Sequence, residues 1–246
     1  MPRNRDPSGR RVARTREPAD RSARSREERN GGATGRGSSG GATGRGLSGG
    51  AQSGVRCVPL TPELWPALEQ LFGANGACGG CWCMWWRVER GGKMWQATQG
   101  AKAKRSFKNL VAAKKARGML AFAGHRPVGW CALGPRADFP RINRRPAFQR
   151  ADVEGVWSIN CFFIARDFRG RGVARKLLEA AIEECKAQGA RIVEGYPVTT
   201  TGAGEKVPSA SAYTGPLRIF EEQGFEIVQR DSPLRPLVRR DLSAVK

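Results

Sequence analysis

Apolar residues recur at helical spacing about a quarter of the way along the chain. Between residues 61 and 73 they fall on one face, at Leu64, Leu68, Leu71 and Phe72. Thr61 offers a hydroxyl acceptor for the free N–H groups of a first turn, and Pro62 fits the first helical position, so a helix ending at Gly73 is predicted. A second, basic helix is predicted over residues 102–117, with Gly118 as its C-terminal cap.

Strand-like patterns follow this basic helix. Two short apolar runs, residues 119–123 and 128–133, are joined by a turn at Gly124-His125-Arg126, and residues 134–150 form a loop rich in Pro and Arg. Residues 156–165 are almost all apolar, β-branched or aromatic, which is typical of a central strand covered on both faces. A further strand is predicted over residues 191–198.

A glycine-rich turn connects the central strand to an amphipathic helix. It reads Arg169-Gly170-Arg171-Gly172-Val173-Ala174. The glycines let the backbone approach a ligand closely, and the first turn of the helix attracts negative charge. Arg169 and Arg171 strengthen this attraction with two positive charges. The turn is therefore predicted to hold a pyrophosphate. The helix is predicted to end at Gly189 and to bury one face, made of Val173, Leu177, Leu178, Ala181, Ile182 and Cys185.

The first 54 residues differ from the rest of the chain in composition. They hold 12 basic and 5 acidic residues, no aromatic residue and no cysteine, and residues 31–51 repeat a nine-residue unit beginning GGATGRG. Such a segment cannot bury enough apolar area to offset the entropy of ordering. Residues 1–54 are therefore predicted to be a disordered basic tail, and residues 55–246 a single folded domain. The tail is a possible nucleic-acid-binding segment, but without an aromatic residue for base stacking a solvated extension is favoured.

Composition also excludes several classes of protein. No stretch approaches the ~18–20 uninterrupted apolar residues of a membrane span, so no membrane insertion is expected. The net charge of the chain is +21. The Arg-rich first residues lack the apolar segment of a secretory signal peptide. Seven cysteines without such a signal indicate reduced thiols rather than a disulfide framework, so the expected location is cytoplasmic.

The glycine-rich turn matches neither of two common phosphate-binding loops. The chain has no G-x-x-x-x-G-K-S/T sequence, and a dinucleotide fingerprint would need Gly where Arg175 stands. The turn instead fits R-x-x-G-x-A, the coenzyme A signature of the GNAT N-acetyltransferase superfamily. The surrounding order of elements and the later Phe220-Glu-Glu-Gln-Gly224-Phe225 also resemble that superfamily. The resemblance spans residues 56–242 in element order and is specific over residues 156–228. Residues 80–87 and 193–198 resemble an uncharacterised bacterial subgroup.

This resemblance implies a fold and a cosubstrate. The fold would be a mixed, mostly antiparallel α/β (α+β) sheet flanked by helices, and the cosubstrate acetyl-CoA, with no metal. The central strand would splay from the strand at residues 191–196, and coenzyme A would fill the gap. Pantetheine contacts are implied for Phe162, Phe163 and Ile164. Pyrophosphate contacts are implied for Arg169, Gly170, Arg171, Gly172, Val173 and Ala174.

The resemblance also implies direct acetyl transfer to an amine. An alkylamine has a pKa of about 10.4, so a base has to remove a proton. Glu194, on the neighbouring strand, is the first candidate and Glu154 the second, although either residue is equally a surface carboxylate in a basic protein. The acceptor amine is not identified, whether a small molecule or a protein terminus or lysine.

A general acid is needed for the departing thiolate. Many superfamily members use a Tyr four residues before the Gly of the Gly-Phe pair, and here that position is Phe220. Tyr213 is the candidate, because Pro216 interrupts the intervening helix and lets the chain bend back. Tyr196 is expected to line the acceptor pocket. Water is the alternative proton source.

A cysteine-rich segment raises the question of a metal. Cys78, Cys81 and Cys83 read C-x-x-C-x-C, but a zinc site needs four ligands, so Cys57, Cys131 or His125 would have to join. No metal is expected. The thiols and the adjacent Trp82, Trp85 and Trp86 are interpreted as core or as the wall of an acceptor pocket, and His125 as a solvated loop residue.

Two hypotheses from other functional classes compete with the acetyltransferase. One is a nucleic-acid-binding protein whose acyltransferase domain is vestigial. The other is a regulatory module that binds acyl-CoA without turnover. Turnover of acetyl-CoA against a panel of amines distinguishes all three.

Overall fold

A seven-stranded mixed sheet organises the residues that the computed structural model describes, which are 54–89, 91–199, 211–232 and 234–243. The strands are β1 (Arg56–Pro59), β2 (Arg117–Ala123), β3 (Arg126–Pro135), β4 (Val156–Ile164), β5 (Ile192–Gly195), β6 (Glu226–Gln229) and β7 (Leu237–Asp241). Their order in the sheet is β1-β2-β3-β4-β5-β7-β6. Every neighbouring pair is antiparallel except β4 and β5, which are parallel. The predicted mixed, mostly antiparallel sheet is confirmed. The predicted tail lies outside the described residues, apart from Gly54.

Helices cover both faces of this sheet. They are α1 (Trp65–Phe72), α2 (Gly92–Thr98), α3 (Ala101–Ala112), α4 (Pro140–Asn143), α5 (Val173–Ala187) and α6 (Leu217–Glu221). The six residues predicted for the apolar face of α5 are all buried, in a core that α5 forms with one face of β2, β3 and β4. On the other face, Leu68 and Phe72 of α1 and Phe107 of α3 pack with Trp130 of β3. Among the described residues, no helix has the length and apolar character needed to cross a bilayer.

The predicted basic helix is shorter than its pattern indicated. It ends at Ala112, and Lys114 has a left-handed φ of 56° that turns the chain into β2. Gly118 is therefore not a helix cap but a residue of β2, where the absence of a side chain leaves room for the Trp130 ring. A Cβ at this position would lie 2.1 Å from the ring. The sequence prediction was wrong here because this requirement comes from the neighbouring strand.

Three other predicted boundaries also change. The first helix begins with a 3-10 turn, Pro62–Leu64, and the Thr61 side chain makes no capping hydrogen bond. The predicted 134–150 loop contains the end of β3, α4 and two 3-10 turns, Arg136–Asp138 and Pro146–Phe148. β5 is shorter than the predicted strand, because its ladder with β4 ends at Gly195.

The sheet opens in its middle. β4 and β5 pair only from Val156 to Ile159, opposite Ile192 to Gly195. At the next residue, Asn160, β4 also has a bulge: Ile159 and Cys161 have successive partners in β3, and Asn160 has none. Bulges of this kind bend a strand and increase its twist. Beyond Gly195 the chain pairs instead with the segment before α6, through a bridge between Val198 and Pro216, which leaves a gap beside the second half of β4.

Candidate active site

The glycine-rich turn lies at the end of β4, as the sequence predicts. Gly170 and Gly172 have φ angles of 73° and 77°, in the left-handed region that favours glycine, and a Cβ on either would meet no atom within 4 Å. Within the described part of the chain, the backbone N–H groups of residues 170–173 donate to no carbonyl. Arg169 and Arg171 are exposed beside them. The turn thus presents free donors, two guanidinium groups and the N-terminus of α5 to the same open space.

The second half of β4 faces the gap with its backbone. The N–H of Ala165 donates to the carbonyl of Val128, at 2.9 Å. Because hydrogen-bonding directions alternate along an antiparallel pair, the N–H and C=O groups of Phe162 and Ile164 point away from β3 and into the gap. An extended ligand lying there can hydrogen-bond to β4 as an additional strand would.

The side chains of this half-strand alternate between the two faces of the sheet. Phe162 is buried against Phe220, with ring centroids 6.2 Å apart, in the core under α5. Phe163 points to the opposite face and packs edge-on against Phe72, at 5.6 Å. Phe163 and Ile164 are half-buried. Of the three residues implied for pantetheine, Phe162 and Ile164 therefore border the gap through their backbone, whereas the backbone of Phe163 faces β3.

Trp86 marks the point at which the sheet opens. Its indole N–H donates to the carbonyl oxygen of Asn160 at 3.0 Å, and its ring lies 6.1 Å from that of Tyr196 and 6.2 Å from that of Tyr213. Asn160 is 1% exposed, and its side-chain amide nitrogen has no hydrogen-bond partner among the described residues. A buried donor without a partner is uncommon in folded proteins and indicates a position that can bind a ligand.

Tyr213 lies beside this opening. It belongs to a 3-10 turn, Ala212–Thr214, and α6 starts only after Gly215 and Pro216, so the interruption predicted from Pro216 is present. Gly215 has a φ of 82° and lets the chain turn. Burial raises the pKa of the Tyr213 phenol, and the positive charge of Arg235 opposes that rise. The phenol therefore keeps its proton at neutral pH, as a general acid requires.

Glu194 lies at a different place, within the paired part of β5. It is fully buried and accepts hydrogen bonds from Arg136, from Arg239 at 3.1 Å, from Ser158 at 3.2 Å and from the Tyr196 hydroxyl. Burial raises the pKa of the Tyr196 phenol well above its ordinary value, and the charge of Glu194 adds to this rise, so Tyr196 acts as a donor. Four donors on one carboxylate favour a positioning role for Glu194 over that of a base.

Glu154 and Tyr196 also differ from their expected surroundings. Glu154 is exposed in the turn before β4. Tyr196 is fully buried between Trp86 and Phe148, with ring centroids 6.1 Å and 4.7 Å away, and forms the back of the opening rather than an accessible wall. Tyr213 thus lies beside the opening and the glycine-rich turn follows the end of β4, whereas Glu194 lies behind Tyr196, in the paired part of β5.

The cysteine-rich segment contributes mainly to the core. The Cys83 thiol is buried, accepts a hydrogen bond from the Trp130 indole at 2.8 Å and lies 3.9 Å from the Cys161 sulfur. Cys78 is exposed, and His125 is exposed in the turn between β2 and β3. Among the described residues, no group of three or more His, Cys, Asp or Glu side chains is arranged to hold a metal ion.

Sequence reasoning missed two features of this site. The first is Asn160, whose signal was a polar residue inside an otherwise apolar strand, beside Ser158. The second is a set of arginines that the fold brings to the opening from the 134–150 segment and from the C-terminal region. In the sequence they were indicated only by the many Arg residues of the 134–150 segment, which was interpreted as a loop.

The middle of the chain matches a known protein family. The family model of the acetyltransferase (GNAT) family matches residues 83–200. No curated protein matches the chain by sequence. An N-acetyltransferase structure from Staphylococcus aureus Mu50 is 14% identical, with a TM-score of 0.46, covering 77% of this chain and 99% of its own. A ribosomal-protein-S5-alanine acetyltransferase from Vibrio fischeri is 12% identical, with a TM-score of 0.46 and coverages of 78% and 95%.

A third similar structure is the PaiA N-acetyltransferase of Thermoplasma acidophilum, in complex with coenzyme A. It is 11% identical, with a TM-score of 0.45 and coverages of 76% and 99%. The family match itself extends from α2 through β5 and includes the bulge of β4, the opening of the sheet and the glycine-rich turn. Residues 83–200 of the chain are therefore identified as a domain of the GNAT acetyltransferase family.

Proposed function

We propose that the protein is an N-acetyltransferase that moves the acetyl group of acetyl-CoA directly to an amine. The observation that carries the proposal is the opening between β4 and β5, which leads directly to the glycine-rich turn at the N-terminus of α5. Pantetheine fits along the backbone groups of Phe162 and Ile164 that face the gap, where the Ile164 carbonyl also accepts a hydrogen bond from Arg169 at 3.2 Å. The pyrophosphate fits the free N–H groups of residues 170–173 and the charges of Arg169 and Arg171.

This position of the coenzyme directs its thioester toward the bulge of β4. There the amine nitrogen attacks the carbonyl carbon, the carbon–sulfur bond breaks, and the thiolate takes the phenolic proton of Tyr213. The proton lost by the amine passes to water, since Glu194 is enclosed by its four donors, and water returns a proton to the Tyr213 phenolate. Glu194 holds Tyr196 in place through its hydrogen bond, and Tyr196 packs against Trp86 behind the reacting atoms.

Gly172→Glu tests the coenzyme site. The substitution introduces a side chain and a negative charge into the space assigned to the pyrophosphate, so calorimetry should show loss of acetyl-CoA binding. Gly189→Glu is a matched control at the other end of α5: its φ is 80° and a Cβ there also meets no atom within 4 Å, so the backbone strain is similar.

The two variants separate strain from ligand binding. Circular dichroism should show a folded domain for both, and Gly189→Glu should keep wild-type acetyl-CoA affinity. Unchanged affinity in Gly172→Glu would remove the coenzyme from this turn and contradict the proposed function. Release of free thiol with an amine panel then distinguishes an enzyme from a module that binds acyl-CoA without turnover.

A further inference from the structure

Three arginines stack on the aromatic side chains at the opening of the sheet. The guanidinium carbon of Arg235 lies 4.9 Å from the ring centroid of Tyr213, and that of Arg145 lies 5.8 Å from the centroid of Trp86. Arg141 lies 3.7 Å from the centroid of Trp85. Stacking uses only the face of a guanidinium, so an arginine over a ring can also donate hydrogen bonds along its edge.

The other arginines of this region are neutralised by carboxylates. The pairs are Arg87 with Asp138, Arg136 with Glu194, Arg144 with Glu89, Arg150 with Asp152, and Arg239 with both Asp152 and Glu194. Within the described residues, neither Arg145 nor Arg235 has a carboxylate within 4.0 Å. The hydrogen bonds of Arg235 go to neutral oxygens, the Thr214 hydroxyl and the Ser211 carbonyl. Positive charge therefore accumulates on one side of Tyr213.

A buried hydrogen-bond donor lies at the bulge of β4, next to Trp86. The amide nitrogen of Asn160 is buried and has no partner among the described residues, while the carbonyl of Asn160 is held by Trp86, the residue on which Arg145 stacks. Leaving such a donor unsatisfied destabilises the protein, and a ligand that supplies an acceptor removes that cost. The opening thus combines unneutralised cations with a buried donor, and both require an electron-rich ligand.

We propose that the acetyl acceptor is a compact amine that also carries an anionic group, a carboxylate or a phosphate, and that Arg145 and Arg235 receive this group beside Tyr213. The inference rests on the proposed function and specifies its substrate class. Charge-assisted hydrogen bonds from a guanidinium are stronger than neutral ones and orient a planar or tetrahedral anion. Anchoring the anion holds the amine at a fixed distance, next to the bulge of β4.

Pairs of acceptors that share the length of the amine-bearing carbon chain test this inference. n-Propylamine is compared with β-alanine, which differs by a carboxylate, and ethanolamine with phosphoethanolamine, which differs by a phosphate. A single charge-assisted contact corresponds to about 10-fold or more in kcat/KM, so the anionic member of at least one pair should be preferred by that factor. The pair with the larger preference distinguishes carboxylate from phosphate.

Arg145→Gln should abolish this preference while leaving acetyl-CoA affinity unchanged. Arg144→Gln is the matched control: Arg144 is the adjacent residue, is also exposed, and is bonded to Glu89 at 2.9 Å instead of lying over Trp86. Arg144→Gln should keep the wild-type preference. Arg145→Lys should restore part of it, because lysine keeps the charge without the planar edge.

A second measurement is independent of turnover. With coenzyme A present, N-acetyl-β-alanine should change the fluorescence of Trp85 and Trp86 at lower concentration than the neutral N-propylacetamide does. Equal kcat/KM within both amine pairs would overturn the inference and leave the proposed function standing. If no amine is turned over, equal binding of N-acetyl-β-alanine and N-propylacetamide would overturn it in the same way. Failure of the wild-type protein to bind acetyl-CoA would instead contradict the proposed function.

Discussion

Glu194→Gln separates the two roles considered for this carboxylate. The substitution keeps the shape of the side chain and one oxygen acceptor but removes the negative charge. Arg136, which is 2% exposed, would lose its only carboxylate among the described residues, whereas Arg239 would keep Asp152 at 2.7 Å. The substitution therefore leaves one buried guanidinium without a counter-charge, not two.

The expected cost follows from that single uncompensated charge. Removing one partner of a buried ion pair destabilises proteins by about 3–5 kcal/mol. Because Arg239 remains paired and the amide oxygen still accepts from Tyr196, we expect the lower end, about 3 kcal/mol. In a domain of this size each kcal/mol corresponds to about 2–4 °C in melting temperature, which predicts a decrease of about 6–12 °C.

Urea unfolding and thermal melting of the full chain measure this cost, and acetyl-CoA turnover is recorded on the same samples. Glu154→Gln, the exposed carboxylate of the turn before β4, is the control and should change stability by no more than about 0.5 kcal/mol. A loss of stability below about 1 kcal/mol in Glu194→Gln, combined with a fall in kcat of ~10²-fold or more, would refute the positioning role. Glu194 would then be the general base.

Two further predictions concern the general acid and the N-terminal segment. Tyr213→Phe should lower kcat by ~10²-fold or more with little change in acetyl-CoA affinity, because it removes the phenolic proton but keeps the ring under Arg235. Equal kcat in the wild-type and Tyr213→Phe proteins from pH 6 to 9 would assign the proton to water. Deletion of residues 1–53 should leave kcat and KM for a small amine unchanged, since that segment is of low complexity and has no aromatic residue. A large loss of turnover would show that it contributes to catalysis.

The parts of the molecule that the sequence predicts are those determined by local rules. The buried face of α5 follows from a 3.6-residue period, and Gly170 and Gly172 adopt the positive φ angles that glycine permits at the entry to a helix. β4 follows from a continuous apolar run. In each case the residues that decide the structure lie within one element or its immediate flank, so no knowledge of the neighbours is needed.

The parts that the sequence does not predict depend on neighbours that are distant along the chain. Gly118 is explained by Trp130, on the adjacent strand. Arg136, Glu194 and Arg239 come from three separated segments and are buried only because they neutralise one another, whereas hydropathy would place each of them on the surface. The bulge at Asn160 depends on the register between β3 and β4, which a single strand does not reveal.

The position of β7 constrains how the domain is made. Although Leu237–Asp241 come last among the strands, they lie between β5 and β6 and supply buried Leu237, Val238 and Arg239. A nascent chain that has been synthesised only as far as β6 therefore has an unpaired edge on β5 and no neighbour for β6. Exposed edges of this kind invite pairing with other chains. Pairing of β5 and β6 with β7 thus has to wait until β7 leaves the ribosome, and these edges stay open to other chains until that moment.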